Sequence, residues 1–154
     1  MILRQKNGFS FIELLMILAV VAILAVVAIV SIGNPRGSQA MAEAEALKAN
    51  LRFTLSKAMS DLPGNIWSLN ITSTGYTINR NGGVPNPTVN LPGSNSGTYT
   101  LPNGLTITSG TGQIRFNFRG QPVDNNGIPL AANHALTING VPPITVTRET
   151  GFVP

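Results

Sequence analysis

The stretch NGFSFIELLMILAVVAILAVVAIVSIG, residues 7–33, decides how the rest of the chain is read. From 14 to 33 there are 20 residues without a charge. At about 1.5 Å per residue a helix of that length spans roughly 30 Å, the thickness of a hydrocarbon core. Three readings compete. A helix that is apolar all round also suits the middle of a large soluble protein, but a 154-residue chain leaves too little other apolar mass to surround it. An ordinary secretory signal has an apolar region of about 7–15 residues and then a small-residue cut site. The run here is longer, although AVVA at 25–28 offers a loose site. The third reading is a membrane-spanning helix. Arg4 and Lys6 precede the run and no acid does, which puts the N-terminus in the cytoplasm and the remainder outside.

Glu13 separates these readings. A carboxylate in a membrane helix costs on the order of 2.5–3.5 kcal/mol at the centre and less near an end. Such a residue asks for a cation. Arg4 and Lys6 lie about two helical turns away. A new α-amino group at Phe9, made by cutting after Gly8, would stand one turn from Glu13. In a stack of such helices the carboxylate of one chain meets the amine of the next. At about 4 Å and an effective dielectric of about 20 that attraction is about 4 kcal/mol, comparable with the cost of burial. The pair is therefore favourable only on assembly.

The basic leader ending in Gly8, followed by FSFIELLMILAVVAILAVV, resembles the class III signal of type IV pilins and type II secretion pseudopilins. The resemblance implies that a prepilin peptidase cuts between Gly8 and Phe9 and N-methylates Phe9. It implies that Glu13 serves assembly, and Ser10 matches the usual serine or threonine after the phenylalanine. Phe11 departs from the commoner leucine, and the proline that many members carry inside the apolar helix is missing. GQIRFNFRGQPVD at 112–124 and ITVTRETGFV at 144–153 are similar to the C-terminal half of GspH/FimT-like and MSHA-type minor pilins.

SIGNPRGSQ at 31–39 is a breaker cluster at the membrane exit, where a kink or a short unwound segment is expected. Ala40, Ala44, Leu47, Leu51, Leu55, Ala58 and Leu62 then recur at spacings of 4, 3, 4, 4, 3 and 4, one stripe of an amphipathic helix. Glu43, Glu45, Lys48, Arg52 and Lys57 fall off the stripe. It is expected to pack on the chain's own sheet rather than on a partner helix, and Pro63-Gly64 to end it. Strand texture takes over from there. Trp67, Leu69 and Ile71 share a face, and Tyr76 and Ile78 come after a turn at 73–75. Residues 81–98 read as a long loop. Leu105 and Ile107 are expected to pair with Ile114, Phe116 and Phe118 across 109–112, with both phenylalanines inward. Leu136 and Ile138 are expected to pair with Ile144 and Val146 around Gly140. The expected fold class is α+β: a leader at 1–8, a transmembrane and filament-core helix at 9–33, its amphipathic continuation at 34–62, and a β-rich periplasmic domain at 63–154 on an antiparallel sheet.

Composition excludes several functions. Charged residues make up 10% of the chain, against roughly 25% in soluble domains. The net charge is +4, two units of it from Arg4 and Lys6, so basicity argues little for nucleic acid. There is no cysteine, which removes disulfides, thiolate nucleophiles and cysteine metal sites. His134 stands alone and is expected on the surface. Asp124-Asn125-Asn126-Gly127 has a calcium-loop flavour without a closing bidentate glutamate. No serine sits in a nucleophile elbow and no phosphate loop is present. No cofactor, metal or catalytic residue is expected. On an unbroken strand Arg115 and Arg119 share the face opposite Phe116 and Phe118. With Arg148 and Arg80 they are the candidate patch for a DNA backbone.

The sequence thus reads as a structural minor subunit of a type IV pilus or type II secretion pseudopilus, held in the bacterial inner membrane until assembly. The partners this implies are the prepilin peptidase, other pilins or pseudopilins, the inner-membrane assembly platform and membrane lipid. The alternative is a DNA- or surface-binding minor pilin at a filament tip. A membrane-anchored periplasmic enzyme would need a catalytic constellation that the sequence does not offer.

Overall fold

The computed structural model describes residues 10–31, 35–80, 84–85 and 89–154, with side chains for 10–25, 36–80 and 89–154. Helix α1 is Phe11–Ser31 and helix α2 is Pro35–Ser60. By internal contacts the chain divides into Met1–Pro35 and Arg36–Pro154, so α2 belongs with the strands rather than with α1. Pro35 opens α2 because the N–H it lacks is one a first helical turn leaves unbonded anyway. Residues 32–34 of the breaker cluster lie outside the described residues.

The predicted stripe is the face that α2 buries. Ala40, Ala44, Leu47, Leu51 and Ala58 are buried, and Leu55 is half-buried against the same core. Burying a leucine such as Leu47 or Leu51 contributes about 1.5–3 kcal/mol. The last expected position fails. α2 ends at Ser60, and Leu62 beyond it is 72% exposed. Two polar residues that the stripe did not include, Asn50 and Thr54, are buried too. Thr54 Oγ1 donates back to the Asn50 carbonyl at 2.8 Å, which satisfies it within the helix. Asn50 Nδ2 donates to Tyr76 Oη at 2.9 Å, and burial pushes the Tyr76 phenol's pKa well up.

The strands are β1 (Trp67–Thr72), β2 (Gly75–Arg80), β3 (Val84–Pro85), β4 (Thr98–Thr100), β5 (Ile107–Ser109), β6 (Gly112–Phe116), β7 (Pro122–Val123), β8 (His134–Ile138) and β9 (Ile144–Val146). One sheet runs β3-β2-β1-β6-β7, with β4 also on β2; the other runs β5-β8-β9. All of these pairings are antiparallel. The β1–β2 hairpin turns through Ser73 and Thr74, with Thr72 opposite Gly75, as the sequence predicts. Alternation puts Leu69, Ile71, Tyr76, Ile78, Ile114 and Phe116 into one core with Leu47 and Leu51 of α2. Leu136, Ile138, Ile144 and Val146 of β8 and β9 close that core, also as predicted.

The expected β5–β6 hairpin does not form. β5 pairs with β8, and β6 pairs with β1. Gly110 and Gly112 both have positive φ, and the chain passes from one sheet to the other between them instead of folding back. Nor is Phe118 inward. β6 stops at Phe116, and Asn117 Oδ1 accepts from the N–H groups of Arg119 and Gln121 at 3.0 Å each. That side-chain turn takes Phe118 out of the strand's alternation and leaves it 39% exposed.

Candidate functional site

The described part of the N-terminal segment begins at Ser10. Its carbonyl accepts from Glu13 N at 3.0 Å and from Leu14 N at 3.1 Å, which starts α1. Serine suits such a helix entrance. An acid in the first turn complements the free N–H groups there, and Glu13 is that acid. Gly8 and Phe9 lie outside the described residues. From Ser10 to residue 25 every side chain of this unit is exposed, Phe11 by 76%. A helix that is apolar on all sides and buries none of them within its own unit takes its surroundings from elsewhere. Among the described residues no helix is long and apolar enough to cross a membrane. The sequence-based expectation of a transmembrane helix is thus met as a helix and not as a span.

The structure does not gather the candidate arginines into one patch. Arg80 is committed to Asp61 through Nε–Oδ2 at 2.7 Å and Nη2–Oδ1 at 2.9 Å. Arg148 pairs with Glu149 at 2.9 Å and donates from Nη1 to the Ala131 carbonyl at 2.7 Å. Arg115 stands opposite Ser68 on the sheet. Among the described residues its buried Nε has no acceptor, and the buried Ser68 Oγ and Asn79 Oδ1 of the same cross-strand row have no partner, while Nη1 reaches Asn125 Oδ1 at 3.2 Å. Arg119 falls in the turn after β6, with its guanidinium 5.3 Å from the Phe118 ring centre. The shared face expected of Arg115 and Arg119 requires an unbroken strand, and Asn117 breaks it.

One node escaped the sequence reading. Asp61, one residue past α2, accepts from Leu62 N, Asn65 Nδ2, Trp67 Nε1 and both Arg80 nitrogens, all at 2.7–2.9 Å. It ties the helix end to the start of β1 and the end of β2. Only an alignment of Asp61 with Trp67 and Arg80 across the hairpin would have revealed it, and periodicity carries no such signal. Arg80 first, then the Leu62 N–H and the Trp67 indole, hold the Asp61 carboxyl well below the usual carboxylate range. The folded state therefore binds fewer protons here than the unfolded state. This contribution is fully present above the unfolded value of about 3.9 and is lost as pH falls through the lower folded value. Asp61→Asn is expected to lower the urea midpoint at neutral pH and to flatten its fall below about pH 4, checked by denaturant titrations across that window.

Elsewhere, Glu43 accepts from Tyr99 Oη at 3.1 and 2.9 Å, and the Tyr99 ring stacks on Tyr76 at 5.2 Å. Burial, then Glu43, push the Tyr99 phenol's pKa up. Asp124 Oδ1 accepts from Asn126 N and Ile128 N at 2.8 Å each, which makes it the cap of a turn. His134, expected on the surface, is half-buried. It opens β8, with Nε2 3.1 Å from the Gly110 carbonyl. Among the described residues no group of three histidine, aspartate or glutamate side chains converges as a metal site.

Comparison with known proteins adds one finding. Residues 3–32 match the family model described as the prokaryotic N-terminal methylation motif. No curated protein and no solved structure matches the chain.

Proposed function

We propose, from the methylation motif matched at residues 3–32, that the chain is a type IV prepilin-like protein and a structural subunit of a type IV pilus or type II secretion pseudopilus. The reading makes it a minor subunit of the GspH/FimT-like or MSHA-type group. Prepilin peptidase cuts between Gly8 and Phe9 and methylates the Phe9 nitrogen. Until assembly α1 holds the subunit in the inner membrane, with the β-rich unit outside. The assembly platform then transfers α1 from lipid to a core of like helices, where Glu13 of one subunit meets the Phe9 amine of the next. The observation that carries this reading is the motif match. A helix with an exposed apolar surface on every side within its own unit, from Phe11 to residue 25, supports it.

The role is structural: cleavage and methylation are done to this chain by another protein. The alternative, a DNA- or surface-binding tip subunit, is weakened because Arg80 and Arg148 are already paired with carboxylates and Arg115 and Arg119 do not share one unbroken strand. Immunoblotting of sheared filaments tests the proposal. The wild-type chain is expected in the filament fraction. Gly8→Ala is expected to accumulate as full-length precursor in the membrane and to be depleted from filaments. A Gly8→Ala chain that matures and assembles like the wild type would contradict the assigned cut site.

A further inference from the structure

The Arg36–Pro154 unit exposes apolar side chains from three separate segments at one place. Met59 on α2 is 53% exposed, Phe118 in the turn after β6 39%, and Phe152 in the C-terminal segment 57%. Two glycines bring their segments together. A Cβ on Gly120 would lie 3.1 Å from both Leu55 Cδ1 and Met59 Sδ, and a Cβ on Gly151 would run into the Gly120 carbonyl oxygen. Phe118 is two residues from Gly120, and Phe152 comes directly after Gly151. Large apolar groups clustered in this way mark a contact surface. Guanidinium groups stand beside it. Arg119 lies over Phe118. Arg52, on the same face of α2 as Leu55 and Met59, donates from Nε to the Val153 carbonyl at 2.9 Å. The ion pairs among the described residues are Lys48–Glu45, Arg80–Asp61 and Arg148–Glu149. Among those residues Arg52 and Arg119 thus have no carboxylate of their own.

The complementary surface is on the same chain. In the turn at 124–128, Ile128 is 59% exposed. Asp124 caps that turn through Oδ1 alone and makes no ion pair among the described residues, while Arg115 Nη1 donates to the neighbouring Asn125 Oδ1 at 3.2 Å. One surface offers apolar groups beside guanidinium, the other an apolar group beside carboxylate. We propose that the 124–128 turn of one copy docks on the Met59, Phe118 and Phe152 surface of a second copy, with Asp124 facing Arg119 and Arg52. The contact joins two different surfaces and so propagates along a chain of subunits rather than closing a dimer. It rests on the reading of the protein as a filament subunit, and it adds to the helical core a lateral contact between the β-rich units.

The chain has no cysteine, so introduced cysteines report without background. A disulfide needs Cα atoms within about 7 Å, which makes it a short-range probe. Full-length Asn126→Cys and Pro154→Cys chains, both at exposed rim positions, are co-expressed in the producing cell, and sheared filaments are oxidised. The expected product is a mixed dimer that neither variant forms alone and that the control pair Asn139→Cys with Pro154→Cys does not form. Asp124→Asn keeps the turn's acceptor but removes its charge, and it should lower the yield by up to about five-fold. If both variants enter filaments without a mixed dimer, the contact is overturned and the filament reading stands. An adduct of Pro154→Cys with a different protein, or a control pair that links equally well, also overturns it. Absence of the wild-type chain from filaments overturns the filament reading and this contact with it.

Discussion

Glu13→Ala is expected to leave the Arg36–Pro154 unit folded, to insert into the membrane as well as the wild type, and to be depleted from filaments by at least about a hundred-fold. The sign comes from what the substitution leaves behind. In lipid, losing a carboxylate near a helix end relieves a cost of up to about 2.5–3.5 kcal/mol, so insertion does not suffer. In the proposed filament the same change removes an attraction of about 4 kcal/mol and strands the Phe9 amine of the neighbouring subunit among apolar helices. Breaking a buried pair by deleting one partner costs about 3–5 kcal/mol, because the remaining charge has no compensation. Each 1.4 kcal/mol is about a factor of ten in the assembly equilibrium. Quantifying the variant in membrane and sheared-filament fractions checks both halves. Wild-type incorporation would rule out the ion pair as a driving force for assembly.

Gly151→Ala acts on the other unit. Gly151 has φ of +66°, a region that costs a residue with a Cβ about 1–2 kcal/mol. The added methyl would run into the Gly120 carbonyl oxygen and stand 2.9 Å from Phe116 Cε1 and 3.1 Å from Leu55 Cδ1. Phe116 is fully buried and the Gly120 oxygen belongs to backbone, so neither gives way easily. Together these place the loss at about 3 kcal/mol. It should appear as a lower urea midpoint with unchanged slope. The fully buried Val153 and the bond from Arg52 to its carbonyl are the contacts most directly disturbed. Processing at the N-terminus should be unaffected, because the cut site lies in the other unit.

The sequence made local features legible and left the long-range ones hidden. The α2 stripe could be read because burial on one side repeats every three or four residues, and Ala40, Ala44, Leu47 and Leu51 are buried as it predicts. The β1–β2 and β8–β9 pairs could be read because each closes within a few residues. The β6 partner could not. β6 pairs with β1, and Arg115 stands opposite Ser68, far back along the chain, a choice that alternation does not encode. Phe118 and the arginine patch failed for a smaller reason. One asparagine side chain, Asn117, replaces the next strand bond and turns residues 118–121 away from the strand direction. Asp61 hid because a carboxylate that collects its donors from β1, β2 and a loop has no spacing to recognise. Glu13 stands out for the opposite reason: a charge beside an apolar run of 20 is conspicuous without any structure.

The most direct test of the central claim is the intact mass of the chain purified from the membranes of cells that carry its prepilin peptidase. The expected product lacks residues 1–8, begins at Phe9 and carries one additional methyl group on that nitrogen. A chain that keeps its first eight residues, or one cut after residue 28 as an ordinary secretory signal would be, would contradict the assignment.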